Sequence, residues 1–161
     1  RIPCCGYLLR EQPRRRRLLP ERLPAGLTPA QLGSLAAGDD LLDDAGQLLV
    51  RNQDVTTAPR PPRTYAFCSD TLFTPALAKV LRGVDLLYHE ATFLDDMRER
   101  AQFTHHSTAR QAGELARLAQ VQRLLIGHFS SRYRDLQPLL AEARQEFANT
   151  ELAVEGLTVG L

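Results

Sequence analysis

Three apolar runs decide the reading: Thr64-Tyr65-Ala66-Phe67-Cys68-Ser69-Asp70, Val84-Asp85-Leu86-Leu87-Tyr88-His89-Glu90 and Arg123-Leu124-Leu125-Ile126-Gly127-His128. Each is of strand length, and each passes straight into polar groups. The sequence between them is helical in pattern. Pro75 to Arg82 follows Thr74 with proline at the first helical position and is stopped by Gly83. Thr108 and Gln111 fit a capping box for a helix whose Ala109, Ala112, Ala116 and Ala119, with Leu115 and Leu118, form a small-residue packing face. Leu136 to Phe147 repeats the pattern with Leu136, Leu139, Leu140, Ala143 and Phe147 on one side. Strands of Thr64 to Cys68, Val84 to Tyr88 and Arg123 to Ile126 alternating with helices predict an α/β arrangement that is largely parallel. Glu151 to Ala153 and Leu157 to Leu161 read as a short strand pair around Glu155-Gly156.

Upstream the pattern changes. Residues 11–63 are rich in Pro, Arg, Gly and Asp and never settle into a long period, so they read as an arm or insertion. Its regular piece is Thr28 to Ala37, which opens on Thr28-Pro29 and stops before Gly38. Asp44-Ala45-Gly46 reads as a turn between Leu41-Leu42 and Gln47 to Val50.

The bulk numbers narrow the class. With 161 residues the chain can fill one domain or a piece of one. A formal charge of +1 does not mark a nucleic-acid binder, so a basic surface must come from clustering, as in Arg14 to Arg17. The cysteines number three, two of them adjacent at Cys4 and Cys5, which argues against a disulfide framework and for a reducing, cytoplasmic setting. No apolar stretch approaches the roughly 20 residues that span a bilayer, and there is no signal-peptide pattern. The chain opens on Arg1-Ile2-Pro3 without an initiator methionine, which suggests a segment of something longer.

The chemistry should lie where the strands end. Ligands in α/β sheets collect beyond the carboxyl ends of the strands, and there the sequence has Ser69-Asp70, His89-Glu90 and His128, joined by His105-His106 before a helix start. Asp, Glu and His in one place suit a metal such as Zn²⁺. Each residue alone has an ordinary explanation: Asp70 as a turn or cap, His128 as a hydrogen-bonded histidine, Glu90 as a solvated carboxylate. From pattern alone a metal-assisted hydrolase and a metal-free α/β domain both stay open.

Longer phrases then add a resemblance. Cys68-Ser69-Asp70-Thr71, Leu87-Tyr88-His89-Glu90-Ala91-Thr92-Phe93, His106-Ser107-Thr108-Ala109-Arg110 and Gly127-His128-Phe129-Ser130-Ser131-Arg132-Tyr133, in this order and at these intervals, resemble the ribonuclease Z family of the metallo-β-lactamase superfamily. The likeness runs from Tyr65 to the end and, more loosely, over Arg1 to Tyr7. It implies a four-layered αββα sandwich, with this chain as the second half: a core strand segment at 1–10, an inserted flexible arm at 11–63 that binds tRNA, and the C-terminal half at 64–161. The implied activity is zinc-dependent endoribonucleolytic removal of the 3′ trailer from precursor tRNA, by a cytoplasmic homodimer with two zinc ions per site. Asp70 would bridge the zinc ions and His128 would be the last histidine ligand. Glu90 and His106 would be the catalytic acid and histidine pair. Arg110 would contact phosphate, a role that suits a guanidinium beside a helix N-terminus. Arg14, Arg15, Arg16 and Arg17 suit phosphate by charge.

Departures from the family pattern count too. A His-x-His-x-Asp-His segment is absent from these 161 residues, and the histidine that the family pattern puts before Arg-Ile-Pro would fall ahead of Arg1. The arm has Leu27-Thr28-Pro29-Ala30-Gln31-Leu32 in place of a Gly-Pro-rich element. With only Asp70 and His128 as ligands the isolated chain should be inactive. A related metallo-β-lactamase-fold phosphodiesterase or arylsulfatase-like hydrolase, or a non-catalytic remnant, are the competing readings.

Overall fold

The computed structural model describes residues 4–161; Arg1-Ile2-Pro3, and the likeness seen there, lie outside the described residues. The strands are β1 (Tyr7–Arg10), β2 (Arg17–Leu18), β3 (Leu41–Leu42), β4 (Leu48–Val50), β5 (Thr56–Thr57), β6 (Thr64–Cys68), β7 (Leu86–Glu90), β8 (Arg123–Gly127) and β9 (Thr150–Leu152). The helices are α1 (Pro29–Ala37), α2 (Asn52–Val55), α3 (Leu77–Val80), α4 (Arg98–Thr104), α5 (Ala109–Ala119) and α6 (Gln137–Glu146). They fall into two compact units, Glu11–Pro62 and residues 4–10 with Arg63–Leu161.

The larger unit is built on a five-stranded sheet of order β1-β6-β7-β8-β9. β6 to β9 run parallel and β1 is antiparallel to β6 at the edge. Parallel neighbours need crossovers, and the helical stretches supply them. Alternate strand residues Ala66, Leu87, Leu124 and Ile126 join Ala112, Leu115, Ala116, Leu139 and Ala143 in one buried cluster. On the other parity, Phe67 stacks on Tyr88 with ring centroids 4.7 Å apart, while Tyr7 and Leu9 on the edge strand are about 60% exposed.

Small residues let α5 and α6 approach closely. A Cβ at Gly113 would lie 2.5 Å from the Ala143 carbonyl oxygen, so the two backbones meet with no room for a methyl. Gly113→Ala should therefore push the helices apart and destabilise the unit by about 1–3 kcal/mol, the usual cost of overpacking, read as a lowered midpoint of denaturant unfolding. An unchanged midpoint would mean that α6 slides freely on α5.

Several boundaries differ from expectation for local reasons. The second strand spans Leu86–Glu90, not Val84 to Tyr88, so His89 and Glu90 lie within it. Asp85 Oδ2 accepts from both the Thr64 N–H and hydroxyl at 2.7 Å, and this side-chain clasp holds the place where the ladder would begin. The helix expected over Pro75 to Arg82 shrinks to Leu77–Val80: the N–H groups of Leu77, Ala78 and Lys79 bond three residues back, as turns, and the Thr74 hydroxyl donates to the Leu72 carbonyl instead of capping. The expected strand pair at the tail does not form. β9 pairs with β8, and beyond the Glu155-Gly156 turn the carbonyls of Gly160 and Leu161 accept from Arg123 and Arg63.

α5 and α1 begin as their sequences predict. Thr108 with Gln111, and Thr28 with Gln31, each make both halves of a capping box. In the smaller unit α1 ends on Gly38, whose φ of 116° only glycine adopts easily. The β3–β4 turn is held by Asp43, whose Oδ1 accepts from the N–H groups of Ala45 and Gln47. Leu35, Leu41, Val50 and Val55 are buried together, with Leu18, Leu23 and Leu27 packed around them. The segment that reads as an arm thus has an apolar cluster of its own.

Candidate metal centre

Asp70 and His128 stand just past β6 and β8, and both turn the chain in left-handed backbone, at φ 50° and 57°. Such values are uncommon outside glycine, though Asp and His tolerate them better than most. Gly127, just before His128, leaves room for the Tyr88 ring: a methyl there would lie 2.8 Å from Cζ of Tyr88. His106 arrives by a third route, after α4 closes on His105, which is also left-handed with φ 62°.

These elements meet. His128 Nε2 is 3.3 Å from Asp70 Oδ1, and the His106 and His128 rings are 5.3 Å apart. One ligand-capable atom from each of Asp70, His106 and His128 can be chosen so that all lie within 4.8 Å of one another. A carboxylate with two imidazoles is a donor set that fits zinc, and these residues suit the ion by chemistry and spacing. Beside them opens a cleft of about 580 Å³ lined by Cys4, Cys68, Asp70, Thr71, His105 and His106 among others. Burial pushes the Cys68 thiol above its ordinary value, so it is poorly suited to serve as a thiolate ligand.

Glu90 lies behind this cluster with no exposed surface. Its two oxygens accept from the backbone N–H groups of Thr71 and Ser107, from the Thr92 hydroxyl at 2.7 Å, and from His106 Nδ1 at 3.0 and 3.1 Å. The carboxylate's lone pairs are thereby filled, which is how a buried acid avoids the cost of desolvation. With Nδ1 of His106 on Glu90, its Nε2 is the nitrogen left to act elsewhere. His89, next in the strand, faces the opposite way and is fully buried; its Nδ1–H donates to the Glu90 carbonyl at 2.7 Å. Burial holds that imidazole below its ordinary pKa, against smaller opposing effects of Glu90. Tyr88 is pushed up, first by burial and then by the charges of Tyr65, Glu90 and Asp70.

The remaining residues singled out in the sequence are engaged elsewhere. Arg110 pairs with Asp95 at 3.4 Å and Glu146 at 3.4 Å and donates to Gln145, while its backbone N–H donates to Glu142. Those acids occupy the helix N-terminus and guanidinium on which the expected phosphate cradle rested. Arg14 to Arg17 belong to the smaller unit: Arg14 pairs with Glu11, Arg16 donates to the Thr56 hydroxyl at 2.7 Å, and Arg14, Arg15 and Arg17 are exposed. What the sequence reading missed is the ring of Thr71, Thr92 and Ser107 around Glu90. Its signal is the run of hydroxyl residues one or two positions from each motif acid or histidine.

No protein-family model matches the chain. It is 45% identical over 162 aligned residues, covering 100% of this chain and 53% of the relative, to ribonuclease Z of Porphyromonas gingivalis, and 44% identical over the same extent to ribonuclease Z of Bacteroides fragilis. The chain therefore spans about half the length of the curated relatives it matches. Among solved structures it is similar to the metallo-β-lactamase fold protein YhfI of Bacillus subtilis, with TM-score 0.55 and 23% identity over 59% of this chain and 39% of that one, which speaks for the fold. It is similar as well to the short form of human tRNase Z, with TM-score 0.50 and 25% identity over 65% of this chain and 36% of that one. No helix among the described residues is long and apolar enough to cross a membrane. Along its whole length the chain is thus similar in sequence to ribonuclease Z, and in fold it is similar to proteins of the metallo-β-lactamase fold.

Proposed function

We propose that this chain supplies part of a zinc-dependent endoribonuclease that removes the 3′ trailer from precursor tRNA by phosphodiester hydrolysis. The observation that carries the reading is the cluster of Asp70, His106 and His128 with Glu90 buried behind it, in a sequence similar throughout to ribonuclease Z. Asp70 and His128 would hold metal. The chemistry that zinc supplies when bound is an acidified water and neutralisation of charge on the phosphoryl oxygens. His106 is oriented by Glu90 through Nδ1, so that its other nitrogen can pass a proton to the departing 3′ oxygen. The buried Glu90 carboxylate steadies the positive charge that the ring carries while it holds that proton. Arg14 to Arg17, in the smaller unit, would hold the tRNA body by charge, and Arg110 would reach phosphate only by leaving Asp95 and Glu146.

The test uses the full-length protein, a tRNA with a 3′ trailer and a small phosphodiester. Cleavage of the tRNA should need zinc and fall to background with a chelator. Replacing Arg14 to Arg17 by Ala should weaken tRNA binding, flatten its dependence on salt, and leave hydrolysis of the small phosphodiester nearly unchanged. Absence of zinc-dependent tRNA cleavage overturns the proposal. A parallel loss of both activities in the arginine variant would move those residues from substrate binding to support of the fold.

A further inference from the structure

One buried hydroxyl lies between the acid and the second histidine of the site. Thr92 follows β7 and is 7% exposed. Its Oγ1 is 2.7 Å from Glu90 Oε2, 3.0 Å from His128 Nδ1 and 2.9 Å from the His128 carbonyl oxygen. A hydroxyl has a single proton to donate and two lone pairs with which to accept. Glu90 already accepts from Thr71, Ser107 and His106 and offers no proton in return. Two oxygens 2.7 Å apart repel unless a proton lies between them. Of the two oxygens that could take the Thr92 proton, the Glu90 carboxylate is the nearer and carries charge, while the His128 carbonyl stands at 2.9 Å, and with the proton on either oxygen none is left for the ring. Toward the His128 ring the oxygen can then only accept, which places the imidazole proton on Nδ1. The bare nitrogen of His128 is Nε2, on the side where Asp70 stands at 3.3 Å.

We propose that Thr92 is a positioning residue that relays the acceptor character of Glu90 to His128, fixing the Nδ1–H tautomer and presenting the Nε2 lone pair to metal. The inference rests on the reading of His128 as a metal ligand. It gives Glu90 two dependants: His106 directly through its own Nδ1, and His128 through the threonine hydroxyl. The opposite tautomer would aim an N–H at Asp70 and at the ion, and could not ligate. Serine could take over the relay, since only the hydroxyl takes part. Valine has the shape of threonine without it.

The experiment is NMR of the full-length protein labelled with ¹⁵N in histidine, metal-free and at about pH 8, where a free imidazole is neutral, and carrying Asp70→Ala so that no carboxylate draws a proton to Nε2. Long-range nitrogen–proton correlations tell the two tautomers apart. With Thr92 intact, His128 should be Nδ1–H alone. Thr92→Val should lose that single tautomer and, with Asp70 restored, weaken zinc binding about tenfold or more, the usual effect of removing the partner that orients a ligand. Thr92→Ser should keep both properties. An Nε2–H tautomer with Thr92 intact overturns the proposal. An unchanged tautomer in Thr92→Val overturns the role of Thr92 and leaves His128 free to be a ligand. A changed tautomer with zinc affinity intact overturns the claim on metal and, with it, the reading of His128.

Discussion

In the full-length protein, Asp70→Ala should lose zinc and hydrolysis together, whereas His106→Ala should keep zinc and substrate affinity and lower turnover by on the order of a hundredfold or more. The cluster makes this a real test, because the ligand-capable atoms of Asp70, His106 and His128 lie within 4.8 Å and spacing alone would let any of them hold an ion. What separates them is what stands behind each. His106 is backed by a buried carboxylate at 3.0 Å, the arrangement that supports an imidazole as it takes up charge. Asp70 has no such partner behind it and is exposed toward the cleft, where a carboxylate can offset the charge of neighbouring cations. Metal analysis beside single-turnover cleavage reads the two roles separately. If His106→Ala sheds zinc as fully as Asp70→Ala, His106 is a ligand and its part in proton transfer falls.

Glu90→Ala should have the largest effect on the folded state of any single change at the site. The substitution strands the N–H of Ser107, the Thr92 hydroxyl and the His106 ring, and with them the Thr71 N–H, in or near the interior. An unsatisfied buried donor costs about 1–3 kcal/mol, so the loss should be on the order of 3 kcal/mol or more. Denaturant unfolding in the presence of a chelator reads this without the contribution of bound metal. Glu90→Gln should recover little, since its amide turns an N–H₂ toward groups that are themselves donors. Stability of Glu90→Ala within about 0.5 kcal/mol of the wild type, the range of ordinary surface changes, would show that water replaces the carboxylate.

The parts that were legible in the sequence are those set by short-range physics. Thr108 and Gln111 announce the start of α5 because a capping box is complete within four residues. The short apolar run Thr64–Cys68 marks β6 to the residue, since a run of strand length that passes into polar groups is legible locally. Ladder ends depend on partners far along the chain: Thr64 and Asp85 meet across 21 positions, and nothing near Asp85 shows that its carboxylate will hold back β7. The same limit hid the fate of Arg110, whose acids come from α6 and from the turn before α4. Phe129 to Tyr133 and the hydroxyls around Glu90 are visible as letters, but only the folded chain shows which oxygen faces which ring.

Asp70 and His128 hold their left-handed backbone at a cost of order 1–3 kcal/mol each, a cost that glycine would not bear. With Asp70 and His128 as the proposed ligands, selection for thermal robustness and selection for ligation pull toward different residues at both positions. Copies of this sequence released from the need to bind metal would be expected to drift at 70 and 128 first, toward Gly or Asn, and to gain stability as they did so.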